Sequence, residues 1–134
     1  TFNDLPSRNQ AEDPNSTVET FELLSNNEDF IIRMSLSSNI NCPDHILWKL
    51  SCDENPFVKL NILFNNNCKK DIVENVFLNL DETFIKTFIY DIVRDKRCSS
   101  YALKKFYKKY LNMNYIGLID IILSHPNFKL KDFE

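Results

Sequence analysis

The chain has 134 residues, the size of one ordinary domain, and 43% of them are hydrophobic, enough for a core. Its single glycine, Gly117, excludes Gly-rich phosphate loops and leaves little room for tight hairpins, which favours helices over sheets. The net charge of −3 argues against a chain built as a whole for nucleic acid. No run of about 18 apolar residues is present to span a membrane.

Residues 1–15 are polar and read as an N-terminal lead-in, followed by a helical repeat domain over 16–134. Ser16 fits a helix N-cap with Glu19 completing a capping box, and Phe21 and Leu24 give that helix an apolar stripe. The segment Ile32-Arg33-Met34-Ser35-Leu36-Ser37-Ser38-Asn39-Ile40-Asn41-Cys42 then recurs 26 residues later. Its second copy is Val58-Lys59-Leu60-Asn61-Ile62-Leu63-Phe64-Asn65-Asn66-Asn67-Cys68. A period of this length is one supersecondary unit that buries its apolar face only by stacking on its neighbours. Cys42-Pro43 opens the next unit, with Pro43 at the first helical position and Ile46, Leu47 and Leu50 at helical spacing. Asp53-Glu54-Asn55-Pro56 breaks the chain before a helix from Phe57 to Phe64, and Asn65-Asn66-Asn67 is a turn. The third unit starts at Cys68 with Ile72, Val73 and Val76, and its second helix covers Phe84 to Val93. A fourth starts near Cys98 with Ala102, Leu103 and Phe106, then Ile116 to Leu123, and Ser124-His125-Pro126-Asn127 is another inter-repeat turn. The spacing of Ser16, Cys42, Cys68 and Cys98 is 26, 26 and 30, and Arg94-Asp95-Lys96-Arg97 is the natural place for the extra residues.

The stretch Asn39-Ile40-Asn41-Cys42-Pro43-Asp44-His45-Ile46-Leu47-Trp48-Lys49-Leu50-Ser51-Cys52-Asp53 resembles the leucine-rich repeat variant, a relative of HEAT-like repeats. Cys42 takes the place of the capping Thr, Leu47 and Leu50 the two leucines, and Asp53 the acid. Ile32-Arg33 and Val58-Lys59 match the Val-Arg pair. The resemblance covers residues 16–77 well and residues 78–127 weakly. It implies an all-α fold: an α-α superhelix, or solenoid, of three to four short helix-pair repeats. It implies no particular activity.

Cys42, Cys68 and Cys98 fall at equivalent positions, read as N-caps. Stacked units set such positions about 10 Å apart, whereas disulfide Cα atoms need about 4.4–6.8 Å and zinc holds its thiolates at about 2.3 Å. Neither a disulfide nor a metal is therefore expected among them, although a thiol at a helix N-terminus is open to a lowered pKa. His45 and His125 lack metal-ligand spacing, and Asp91 and Asp120 are read as polar-stripe residues without a converging second group. No catalysis and no cofactor are expected.

Charge is unevenly spread. Residues 1–30 carry seven acids against Arg8, a net of −6, while residues 94–109 carry seven bases against Asp95, a net of +6. Within the latter, Lys104 with Lys108 and Lys105 with Lys109 are like-charge i,i+4 pairs, which repel and so do not serve local stability. The candidate partner-binding residues are Arg94, Lys96, Arg97, Lys104, Lys105, Tyr107, Lys108 and Lys109, with Tyr110 also placed beside the lysines. The expected function is non-catalytic binding of another protein, an acidic one, in an adaptor or an inhibitor (immunity-type) role in the cytoplasm. The alternative is a HEAT-like nucleic-acid-binding module using the same patch, since basic residues with aromatic neighbours also suit a phosphate backbone. No membrane partner is expected.

Overall fold

The computed structural model describes residues 5–129, which form nine α-helices and, among those residues, no strand. In chain order they are α1 (Leu5–Glu12), α2 (Val18–Leu24), α3 (Phe30–Ser37), α4 (Asp44–Ser51), α5 (Pro56–Leu63), α6 (Lys70–Asn79), α7 (Glu82–Arg94), α8 (Ser100–Tyr110) and α9 (Leu118–Ser124). The chain divides into two compact units, Thr1–Asp81 and Glu82–Glu134. None of the helices among the described residues is long and apolar enough to cross a membrane.

In the first unit α3 packs against α1, α2, α4 and α5, and α4 packs against α6 as well as α5. Leu47, Leu50, Val58, Ile62, Val73 and Val76 are all buried, so the helical spacing in the sequence gives the correct inward face. The segment expected as a polar lead-in holds α1, which buries Ala11 and packs on α2 and α3. Its last carbonyls explain why so polar a helix docks. Asn39 Nδ2 donates to Ala11 O at 2.8 Å and to Asp13 O at 3.0 Å, so a C-terminal carbonyl of α1 and the first carbonyl of the turn after it are satisfied.

That bond belongs to a recurring device. Five four-residue turns begin at Asp13, Asn39, Asn65, Asp95 and His125, each closed by the backbone N–H of its fourth residue on the carbonyl of its first at 3.0–3.2 Å. In each, the first side chain also accepts the N–H two residues on, at 2.9–3.0 Å. Where that first residue is Asn, its amide donates to the preceding turn and to the helix that leads into it. Asn65 Nδ2 reaches Ser37 O at 2.9 Å and Asn39 O at 3.0 Å. Asn41 and Asn67, the third residues, add bonds to Pro14 O and Ile40 O. In the second unit His125 Nε2 lies 2.8 Å from Asp95 O, and Asn127 Nδ2 donates to Lys96 O and Cys98 O at 3.0 Å. His125 accepts at Nδ1 from Asn127 N–H, so its hydrogen sits on Nε2.

These turns correct several expectations. Cys42, Cys68 and Cys98 are the closing residues of turns rather than N-caps; the N-caps are Pro43, Lys69 and Ser99. Likewise Thr17, not Ser16, caps α2, its hydroxyl accepting from Thr20 N–H. The proline at a first helical position is Pro56, behind the N-cap Asn55, and not Pro43. The longer third interval does not loop out at 94–97 either, because Asp95–Cys98 is the same turn as the others. The extra length lies in α6 and α7, of ten and thirteen residues against eight in α4 and α5. The helix α7 absorbs it with a break at Phe88 (φ −111°, ψ 16°).

If the amide ladder holds successive turns together, Asn65→Ala should destabilise the protein by about 2–4 kcal/mol, because it strips donors from buried carbonyls. Asn66→Ala, at an exposed position of the same turn, should stay within about 0.5 kcal/mol. Urea unfolding of both variants decides; equal costs would mean that the ladder does not hold the turns.

Candidate partner-binding surface

Helix α8 starts at Ser99, whose hydroxyl accepts from Ala102 N–H at 3.0 Å. Ala102, Leu103, Phe106 and Tyr110 are buried and set its inner face. The i,i+4,i+7 series Tyr101, Lys105 and Lys108 therefore faces water, with Tyr101 62% exposed. Lys104 and Tyr107 are half-buried at the margins, and the Tyr107 ring lies 5.7 Å from that of Phe128. Lys109 is exposed, pairs with the Glu82 carboxylate, and sits 5.7 Å over the Tyr110 ring. Its hydrogen bond is the main reason that the Glu82 carboxyl is held below its ordinary pKa.

Arg94 and Lys96 are exposed, with the Arg94 guanidinium 5.6 Å from the centre of the Tyr90 ring. Arg97 is differently employed. Its Nε and a terminal nitrogen donate to the two oxygens of Asp95 at 2.9 and 2.7 Å, and its backbone N–H donates to Asp95 Oδ1 at 2.9 Å. Burial works to raise the Asp95 pKa, but the side-chain and backbone bonds from Arg97 outweigh it and leave the carboxyl below its ordinary value. Arg97 thus braces its own turn, while Arg94, Lys96, Lys105 and Lys108 are exposed to water and Lys109 is exposed beside its partner Glu82.

Two features of this region are not evident from residue type. Tyr110, expected beside the lysines, is fully buried; its hydroxyl has no hydrogen-bond partner, and burial first among several causes pushes its pKa up to about 12. Ile116, expected to open the last helix, lies outside it and is 91% exposed. Gly117 takes φ +73° as the N-cap of α9, so the helix begins at Leu118, which is buried in its place. Charge follows the division of the chain. The unit Glu82–Glu134 holds ten basic and six acidic residues, a net of +4, and Thr1–Asp81 holds six basic and thirteen acidic, a net of −7.

In the first unit, Arg33 and Asp53 form a part-buried bidentate pair, Nε to Oδ2 at 2.8 Å and Nη2 to Oδ1 at 3.1 Å. Arg33 Nη1 also donates to Asn27 O and Glu28 O. These groups wall an open polar cleft of about 490 Å³ with Ser25, Asn26 and Glu54. His45 is exposed against Glu22, and Asp91 and Asp120 are exposed on their helices. Among the four cysteines, Cys52 is exposed and the other three are buried. Burial, with smaller effects of Cys68 and Asp44, pushes the Cys42 thiol up to about 12, opposite to the activation that a helix N-terminus would give. No group of three or more His, Cys, Asp or Glu among the described residues is placed to hold a metal ion. Comparison with protein-family models, curated proteins and solved structures finds no match for this chain.

Iodoacetamide at about pH 8 should alkylate Cys52 alone in the native protein and all four cysteines after unfolding. Peptide mass mapping reads the outcome, and native-state modification of Cys42 would contradict the burial described here. The Asp95–Arg97 pair makes a separate prediction. The native Asp95 pKa lies below the ordinary 3.8, so its stabilising contribution is complete above that value and is lost as pH falls through the native one. Asp95→Asn should therefore flatten the acid limb of stability against pH, measured by urea titrations below about pH 5. An unchanged acid limb would mean that the pair adds no pH-dependent stability.

Proposed function

We propose that this chain is a non-catalytic helical-repeat protein that binds another protein, an acidic one, through the basic face of α8. The observation that carries this reading is the water-facing stripe of Tyr101, Lys105 and Lys108, flanked by Lys104 and Lys109, on a unit of net charge +4. Like charges at i,i+3 and i,i+4 work against the helix that carries them, so their grouping suits recognition better than local stability. Complementary charge speeds encounter and selects partners.

An α-α superhelix of the leucine-rich repeat variant or HEAT-like kind is part of the same proposal. It draws support from the turns recurring at intervals of 26 and 30 residues, and from α3 packing on both α1 and α5 while α4 packs on α6. It also draws support from the bond between Arg33 and Asp53, two positions that carry the resemblance. A cytoplasmic adaptor or an inhibitor of the immunity type fits such a surface. Binding of nucleic acid is the second reading, favoured by the exposed Tyr101 ring among lysines.

Replacing Lys104, Lys105, Lys108 and Lys109 by Ser separates the two. For a protein-binding face, wild-type affinity for duplex DNA and single-stranded RNA should be negligible near physiological salt. The substitution should then abolish salt-sensitive binding to an acidic polypeptide such as polyglutamate. Tight nucleic-acid binding with a steep salt slope, reduced by up to about 0.9 per lost phosphate contact in the variant, would establish the second reading instead.

A further inference from the structure

The segment 111–117 between α8 and α9 displays apolar side chains and yet is firmly held. Ile116 is 91% exposed, Met113 47% and Leu111 45%. The Tyr90 hydroxyl donates to Ile116 O at 2.8 Å, Tyr115 N–H donates to Met113 O at 3.0 Å, and Leu118 N–H donates to Tyr115 O at 3.2 Å. The Tyr115 ring stands edge-on to Tyr110 at 5.0 Å and lies 6.4 Å from Tyr90. Gly117 fixes the exit with its left-handed backbone. Turning Ile116 inward would break these bonds and this packing together. Cations border the segment: Arg94 over the Tyr90 ring, Lys109 over the Tyr110 ring, and Lys108 three residues before Leu111.

An apolar side chain displayed from a backbone that is already pinned leaves little backbone entropy to lose on binding. Interfaces place such apolar anchors at the centre and charges at the rim. We infer that Ile116, with Met113 and Leu111, is the apolar anchor of the α8 surface, and that its occupant is an acidic amphipathic helix of the partner protein. Apolar side chains of that helix cover Ile116 and Met113, while its carboxylates reach Arg94, Lys105 and Lys108. This rests on the reading of α8 as a protein-binding face. A nucleic acid would satisfy the cations and leave the three apolar side chains in water.

The test uses the full chain and two fluorescent synthetic peptides, followed by anisotropy: a helix of Leu and Glu in an amphipathic pattern, and an all-Glu peptide of equal charge. The amphipathic peptide should bind roughly tenfold or more tighter, and Ile116→Ser should remove most of that advantage, since one buried aliphatic side chain accounts for about tenfold to a hundredfold. Because Ile116 is exposed, the variant should keep the wild-type melting temperature. Tyr90→Phe, which frees the Ile116 carbonyl, should weaken the amphipathic peptide by about fivefold. Equal binding of the two peptides, or an Ile116→Ser variant that binds like wild type, sinks the anchor while leaving the basic face standing. Indifference to both peptides sinks the basic-face reading itself. Ile116-dependent binding to phosphatidylserine vesicles tighter than to the peptide replaces the partner helix by an anionic membrane surface and overturns the assignment.

Discussion

Two of the five recurring turns depend on what one carboxamide can do in two directions. The oxygen of Asn39 or Asn65 closes its own turn by accepting the N–H two residues on, and the nitrogen donates twice, to a carbonyl near the end of the helix before the preceding turn and to the first carbonyl of that turn. A helix ends with carbonyls that have no partner, and burying them unpaired costs about 1–3 kcal/mol each. The asparagine meets that need from the next of the recurring turns, so the end of one helix is completed only when that turn has formed. His125 meets the same two requirements with its two ring nitrogens. Aspartate meets only one of them, since an ionised carboxylate has nothing to donate. At Asp95, which opens the first turn of the second unit, Arg97 is bound instead.

A second set of bonds repeats in the first unit with the same logic. Ser25 and Ser51 each donate to a carbonyl three residues back in their own helix, and accept from Lys49 and Asn75 respectively, 24 residues on. Arg33 bonds Asp53, and Lys59, its counterpart 26 residues later, donates to Asn79 O. Polar side chains here tie together positions 20–24 residues apart, and the apolar core supplies most of the driving force.

The helices and the inward face were readable because spacing of apolar residues alone decides which side of a helix is buried, as with Leu47, Leu50, Val73 and Val76. Cap positions were less so. A small polar residue before a helix serves equally as the last residue of a turn or as a cap, and the choice is made by a backbone bond three residues back, as at Cys42. The basic face was legible in Lys105 and Lys108, whose exposure follows from the periodicity of α8. Arg97 looked like its neighbours in composition, and only its geometry on Asp95 distinguishes it. Ile116 was hidden for the opposite reason. An isoleucine before a glycine reads as core, and nothing local reveals that Tyr90, 26 residues away, ties down its carbonyl while its side chain stays in water.

The ladder also bears on how such a chain can grow or shrink over generations. Deleting the 26 residues from Asn39 to Phe64 would bring the Asn65 amide to the place of the Asn39 amide, with one helix carbonyl and one turn carbonyl again in front of it. A partial insertion has no such match, because it would move an amide off its carbonyls. It is tolerated only inside a helix, where the surplus turns can be taken up between fixed points, and the break at Phe88 in the longest helix is what that accommodation looks like. Length variation in relatives of this chain should then come in two sizes: full modules between turns, and short irregular additions confined to helix interiors.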